Sequence, residues 1–445
     1  MKKYSLFQGT IALLLALLLQ PLSLSADEIQ DTLASLPGIT NVQPLPSTVY
    51  KHKYVMQIRQ WVDPHHASAG TFLQRVIVAH VGFDRPTVLV TEGYDCNYAL
   101  RPGYQEELSK LLNANLVFVE YRYFDKSRPN PCNWQYLTVE NSLYDLHNVN
   151  VTLHKLYHGP WAATGISKGG QTCMFYRVYF PNDVAVSVPY VAPLNRGVED
   201  GRHQPFLEKK VGTAAQRDSL LRYQITLLKH KPQVLPLFTD YCNSKHYTFR
   251  VPLSDIYDYC VLEYPFAMWQ WGTPLSTMPG ENASDSAIFK NLIEVNEPDY
   301  FSEQTPYLPF NVQAARELGY YGYDIKPLKK YIGIKSARNY LHRVMLPQEF
   351  DTIKFSKKLY HRTIAFLKHN DPTMVYIYGG IDPWGASGVA HLKFLQKKKK
   401  LKVYMLPQGS HRTRINSFPE AERQQIISTI TSYLYGTDNN QNNQK

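Results

Sequence analysis

Three residues far apart in the chain, Ser167, Asp382 and His411, have the types and settings needed to attack a carbonyl. Ser167 stands in Gly165-Ile166-Ser167-Lys168-Gly169-Gly170. Before it, Trp161, Ala162 and Ala163 can close a short buried strand; after it, residues 171–177 can open a helix. A strand, a Gly-x-Ser-x-Gly turn and a helix are the parts of a nucleophile elbow, which presents a serine hydroxyl at the carboxyl end of a sheet. So tight a turn leaves room only for glycine beside the serine, because a Cβ there would collide with neighbouring backbone. A serine also needs a base to take its proton, and in α/β-hydrolases the partners follow in the order Ser, Asp or Glu, His. Residues 373–378 form an apolar strand that ends in Gly379-Gly380-Ile381-Asp382. Residues 401–407 form another, ending in Gln408-Gly409-Ser410-His411. Both side chains are thereby expected on the sheet edge that carries Ser167. Ser167 would attack, His411 would accept and return the proton, and Asp382 would fix the imidazole tautomer.

The elements that must position these groups are legible as alternating patterns. Residues 54–61 and 71–81 alternate and are rich in β-branched side chains, with 64–70 as a hairpin loop. Residues 87–91, 115–120 and 184–191 are short and continuously apolar, as in a sheet buried on both faces. Helical patterns at 104–112 and 141–157 lie between strands, which argues for a mostly parallel sheet with right-handed crossovers. From about 197 to 367 the apolar strands give way to helical stretches, such as 217–229, 286–294 and 312–318, joined by Tyr- and Pro-rich connections. An insertion at that place would sit over the catalytic edge as a lid. The expected fold is therefore an α/β-hydrolase core, 45–196 and 368–437, interrupted by a helical lid at 197–367. Residues 391–396 and 419–435 read as further helices, and the polar segment 438–445 as a disordered tail.

Composition narrows the function classes. The chain has 445 residues, a formal net charge of +11, and 33 Tyr against 19 Phe. Tyrosine has an apolar body and a polar tip, which suits clefts and wet interfaces. The basic run at 397–400 reads as a solvated loop or helix end, and no aromatic interleaving accompanies it, so no nucleic-acid role is expected. Lys2 and Lys3, the apolar residues 11–19 and the small residues Ser23, Ser25 and Ala26 form a cleavable export signal, residues 1–26. The apolar run is too short to span a membrane, so no stable anchor is expected and the mature chain reads as periplasmic or extracellular. Five cysteines are present, an odd number. Cys96 and Cys132, both in loops after strands, are candidates for a bridge; Cys173 reads as a buried apolar residue; the spacing fits no zinc pattern. His65 and His66 read as loop, and no cofactor or metal is implied.

The motifs resemble one family in particular. Gly70 to Val76, Pro86 to Tyr94, Glu120-Tyr121-Arg122-Tyr123-Phe124 with Ser127-Arg128-Pro129, and the Ser-Lys-Gly-Gly elbow followed by Tyr190-Val191-Ala192-Pro193 are similar to the secreted bacterial tripeptidyl aminopeptidases of the serine type. The resemblance covers nearly the whole mature chain. It implies an α/β-hydrolase core with a helical lid, peptide substrates, and Ser167, Asp382 and His411 as the triad. It also implies release of short N-terminal peptides, in several members after proline. The chain departs from the family's habits in Tyr121, where histidine is frequent, and in Ile166, where glycine is; both bear on substrate preference. An oxyanion hole would take the N–H of Lys168, the residue after the nucleophile, and a second N–H from the Gly93-Tyr94 turn, assigned to Tyr94. An aminopeptidase must also hold a positive N-terminus, for which a carboxylate near the lid is the natural partner. Glu199 and Asp200, where the lid begins, and Glu92 and Glu120, at strand ends, are the candidates. An esterase or lipase with the same triad, or a silent peptide-binding protein on the same fold, are the competing readings. Oligomeric state is not legible.

Overall fold

The computed structural model describes residues 26–280 and 282–436. The signal at 1–26 and the tail at 438–445 thus fall, apart from Ala26, outside the described residues. Nine strands form one sheet in the order β1-β2-β3-β5-β4-β6-β7-β8-β9. They are β1 (Ile39–Pro44), β2 (His52–Trp61), β3 (Thr71–His80), β4 (Thr87–Thr91), β5 (Asn115–Val119), β6 (Trp161–Ile166), β7 (Val186–Tyr190), β8 (Met374–Gly379) and β9 (Leu401–Leu406). The first three pair antiparallel, and β3 joins β5 antiparallel; from β5 through β9 every pairing is parallel. This is the α/β-hydrolase arrangement. Alternate residues of one strand feed opposite faces: Leu89 packs in one apolar cluster, Val88 and Val90 in the other. That is why the parallel strands read as continuous apolar runs.

The segment before β2, where the sequence pattern marks no element, holds a helix, Ala26–Ala34, and the edge strand β1. β1 carries only two buried residues, Ile39 and Val42, too few to mark a strand by pattern. The helix expected at 104–112 is only Glu107–Leu111, because Glu106 caps it, its carboxylate accepting from Leu108 and Ser109 N–H. The helix expected at 391–396 is two 3₁₀ turns, Val389–His391 and Lys393–Lys397. The stretch 312–318 is the end of the helix Leu308–Gln313 followed by a π-helical turn, Ala314–Leu318.

Between β7 and β8 the chain is helical, and β7 nevertheless pairs directly with β8. The long helix Leu253–Trp271 organises this segment. Pro265 interrupts it, so the carbonyl of Val261 has no helical donor. Gln224, on the helix Ala214–Lys229, donates its side-chain N–H to that carbonyl at 2.7 Å. The helix ends at Gly272, whose positive φ of 66° and close approach to Ser410, 3.0 Å from where a Cβ would lie, both demand glycine. The helix Lys358–His369 instead packs on the helix Lys168–Tyr179 beneath the sheet edge, with Arg362 stacked 3.5 Å above the Tyr179 ring.

Replacing Gln224 by leucine should leave the Val261 carbonyl buried and unpaired, at a cost of about 1–3 kcal/mol. A thermal-melting comparison with the unmodified chain checks this; an unchanged midpoint would mean another donor replaces Gln224.

Candidate active site

Ser167 follows β6 with φ 60° and ψ −119°, a strained conformation for a residue with a side chain. Its amide donates to Tyr190 O at 3.0 Å, and its carbonyl accepts from Gln171 N at 2.9 Å. The neighbouring glycines exist for lack of space: a Cβ on Gly165 would lie 2.3 Å from Gly169 O. The elbow is thus a place where strand and helix touch backbone to backbone.

Asp382 and His411 arrive from the loops after β8 and β9. His411 Nδ1 and Asp382 Oδ2 are 2.6 Å apart, and both residues are buried, 4% and 1% exposed. The other Asp382 oxygen accepts the Trp384 amide at 3.1 Å, which fixes the carboxylate's orientation. The hydrogen bond at Nδ1 leaves the Nε2 edge of His411 for a substrate. The His411 backbone N–H donates to Gln270 O at 2.8 Å, and Trp271 meets the imidazole edge-on at 5.9 Å. The inserted helix therefore touches the histidine loop directly.

Ser167 and His411 open onto one cavity of about 610 Å³. The core side contributes Glu92, Tyr94 and Trp384; the inserted segment contributes Glu263, Ala267, Gln270 and Trp271, at helical spacing along one face, and residues from Val295 to Phe310. Tyr94 meets Tyr307, Phe310 and Phe124 edge-on, so the wall beside Ser167 is aromatic. Burial raises the Tyr94 hydroxyl well above its usual range, and the Ser167 side chain beside it acts the other way.

Lys168 opens the helix after Ser167, yet its side chain is buried. Nζ donates to Gly93 O at 2.7 Å and sits 3.2 Å from the Tyr121 ring centroid. Burial pushes this ammonium well below the usual lysine range, against the pull of Glu92 and Glu317. A Cβ on Gly93 would lie 2.7 Å from the Lys168 stem, so the lysine and the Gly93-Tyr94 turn are packed as one unit.

Of the four acids expected to meet a substrate amine, only Glu92 lines the cavity. Its carboxyl is raised by burial, moderated by the Tyr98 hydroxyl at 2.6 Å, the Gly93 and Tyr94 amides and Lys168. Glu199 is exposed and accepts the Asn339 amide. Asp200 is held by Arg202 and by the Arg196 amide, and these contacts lower it despite burial. Glu120 lies under the sheet edge, bound by Arg75, Ser127 and the Cys96 amide. Beside it Arg122 ties Asp145 and the carbonyls of Trp61, Val62 and Tyr136 together, so the Glu-Tyr-Arg run serves the core. Cys96 and Cys132 are not bridged: one is buried against Glu120 and Arg75, the other exposed. Among the described residues no cluster of three or more His, Cys, Asp or Glu is placed to hold a metal ion.

The sequence pattern missed four cavity acids, Asp95, Glu263, Glu297 and Asp299. The available signal was a single acid, Glu263, amid the aromatic second half of the helix Leu253–Trp271. Glu263 Oε2 accepts hydroxyls from Tyr321 at 2.9 Å and Tyr323 at 2.7 Å, and burial pushes its carboxyl up to about 8.

The fold and the elbow together define a hydrolase of the α/β class. Among solved structures, a proline iminopeptidase of Mycobacterium smegmatis aligns with this chain at 11% identity and a TM-score of 0.40, covering 89% of this chain and all of the other. The family model of the PS-10 peptidase S37 matches residues 23–419, and the chain belongs to this family of peptidases. A prolyl tri/tetrapeptidyl aminopeptidase of Streptomyces mobaraensis is 28% identical over 416 residues, covering 91% of this chain and 85% of that protein. A lysosomal Pro-X carboxypeptidase of Mus musculus is 23% identical over 409 residues, covering 78% and 82%.

The raised Glu263 carboxyl has a consequence for stability. The native state keeps a proton that the unfolded chain gives up, so this group costs stability progressively as pH rises from 4.5 to about 8. Glu263→Gln should therefore gain stability relative to the unmodified chain across that window. Melting curves at several pH values check it; a gap independent of pH would mean that Glu263 is ionised throughout.

Proposed function

We propose that the chain is an exported serine exopeptidase that releases short N-terminal peptides, tri- or tetrapeptides, from longer ones, preferentially after proline. The observation that carries this reading is the geometry around one cavity. A strained serine and an imidazole with a 2.6 Å carboxylate partner open onto it, and helices of the inserted segment wall it. The tri/tetrapeptidyl relative supports the peptide length and the proline preference. The aromatic wall of Tyr94, Tyr307 and Phe310 supports the latter as well, since it offers flat apolar faces to a pyrrolidine ring.

In this mechanism Asp382 accepts a hydrogen bond from His411 Nδ1–H and stays ionised, which fixes the tautomer whose Nε2 is unprotonated and serves as the base. Ser167 Oγ attacks the carbonyl carbon while Nε2 takes its proton. The oxyanion receives the Lys168 amide and the Tyr94 hydroxyl, which lies beside the Ser167 side chain, whereas the Tyr94 amide is directed at the Glu92 carboxyl. His411 returns the proton to the leaving amine, and water then hydrolyses the acyl-enzyme by the same route. The inserted helices act as a lid that restricts the cavity to a chain end. Export rests on the N-terminal signal pattern. No described helix is long and apolar enough to cross a membrane.

Ser167→Ala should lower kcat on a peptide-aminomethylcoumarin substrate ending in proline by roughly a million-fold, and His411→Ala by a similar factor. Asp382→Asn should cost about 10⁴-fold, because the amide holds the wrong tautomer. Turnover by Ser167→Ala within tenfold of the unmodified enzyme would overturn the reading. Cleavage of nitrophenyl esters without any of peptides would make the enzyme an esterase.

A further inference from the structure

The chain carries a formal +11, yet the cavity beside Ser167 is acidic. Glu92, Asp95, Glu263, Glu297 and Asp299 line it, against Arg412 and Arg414. Most of these acids already have an electrostatic or solvent partner. Glu92 faces Lys168. Asp95 accepts the Asn97 amide. Glu297 is half-buried and accepts hydroxyls from Tyr241 and Tyr247, with half-buried Asp299 nearby.

Glu263 differs from all of them. It is 4% exposed, both tyrosines donate to its Oε2, and Oε1 takes no hydrogen bond among the described residues. The titratable groups that face it are Cys260 on its own helix, Tyr300, Tyr321, Tyr323 and Tyr340, all pushed up by burial and neutral. His203, beside Tyr321, is pushed down to about 4 by burial and is neutral as well. No lysine or arginine is among the groups acting on Glu263. A buried carboxyl that borders a cavity and has no cation is a site that lacks its counter-ion.

The position suits a short peptide. Tyr321 stands between Glu263 and the Trp384 ring, 5.1 Å away centroid to centroid, and the Trp384 amide is bonded to Asp382. Glu263 and Ser167 line the same cavity, within which three extended residues reach roughly 10 Å.

We propose that Glu263 anchors the free ammonium of the substrate's N-terminus, and that it holds a proton in the empty cavity and releases it to solvent when the ammonium binds. The inference rests on the exopeptidase reading above and names the residue that enforces it. The balance is simple: the ammonium arrives and stays charged, the carboxyl O–H proton passes to water, and the carboxylate left behind accepts the ammonium N–H groups. Peptide affinity should then rise with pH on the acid side of neutrality, by up to about tenfold per unit. It should level off where the α-amino group itself begins to lose its proton, at about 7.7–8.0.

The test uses Ser167→Ala, which cannot turn over, titrated calorimetrically at pH 6.5 with Ala-Ala-Pro-Ala and with its N-acetyl form. Buffers of different ionisation heat give the proton count. About one proton released per free peptide, none for the acetylated one, and at least thirty-fold weaker binding of the latter are expected. Adding Glu263→Gln should abolish the release and most of the preference. No proton release from the chain with Glu263 intact would overturn the inference without recourse to a variant. So would a Glu263→Gln enzyme that melts like its parent and still prefers free over acetylated peptides, leaving the exopeptidase reading standing. Equal cleavage of the two peptides by the unmodified enzyme would instead remove that reading and this inference together.

Discussion

The contact on which the site depends is the one between β6 and the helix behind Ser167. There the backbone of Gly165 lies against Gly169 O with no room for a single carbon, and Ser167 is left at φ 60°. A residue in that region costs of order 1–3 kcal/mol. Its surroundings hold it there: the Ser167 amide is tied to Tyr190 O and its carbonyl to Gln171 N. Because β6 is interior to the sheet, between β4 and β7, the strain is absorbed by the most constrained part of the molecule.

Lys168 extends this constraint outward. Burying an ammonium is costly, and the chain accepts the cost at the residue next to the serine. In return Nζ clamps the Gly93 carbonyl, and an aromatic ring lies directly beneath it. The turn after β4 is thereby fixed relative to the elbow, although the two are distant in sequence. A shorter side chain could not span the gap.

Strand-end loops were readable because each follows a short apolar run that a parallel sheet requires, and turn residues announce where each run stops. This places Ser167, Asp382 and His411 on one edge from pattern alone. The polar wall of the cavity was not readable in the same way. Glu199 looks free in the sequence, but its partner, the Asn339 amide, is set by the fold of the inserted segment, and Asp200 is taken up by its chain neighbours Arg202 and Arg196. Glu120 looks like a strand-end acid and is instead a core ion pair with Arg75. Glu263 stands amid the aromatic residues of its helix, and only the fold of the chain brings the Tyr321 and Tyr323 hydroxyls onto its carboxyl. For Glu199, Glu120 and Glu263 pairing across long stretches of chain decides the fate of the acid, and no local spacing encodes it. β1 escaped for a related reason: its bulged pairing with β2 spoils the alternation that marks an edge strand.

The main-chain bond from His411 to the carbonyl of Gln270, with Trp271 against the imidazole, has a mechanical meaning. It rivets the long inserted helix to the loop that carries the histidine. That helix cannot swing outward as a hinged cover without dragging the imidazole from its carboxylate. The residues from Val295 to Phe310 make the other wall of the cavity. The helix that grips the histidine loop is also the one that carries Glu263, so any shift of that helix reaches the imidazole and the carboxyl together.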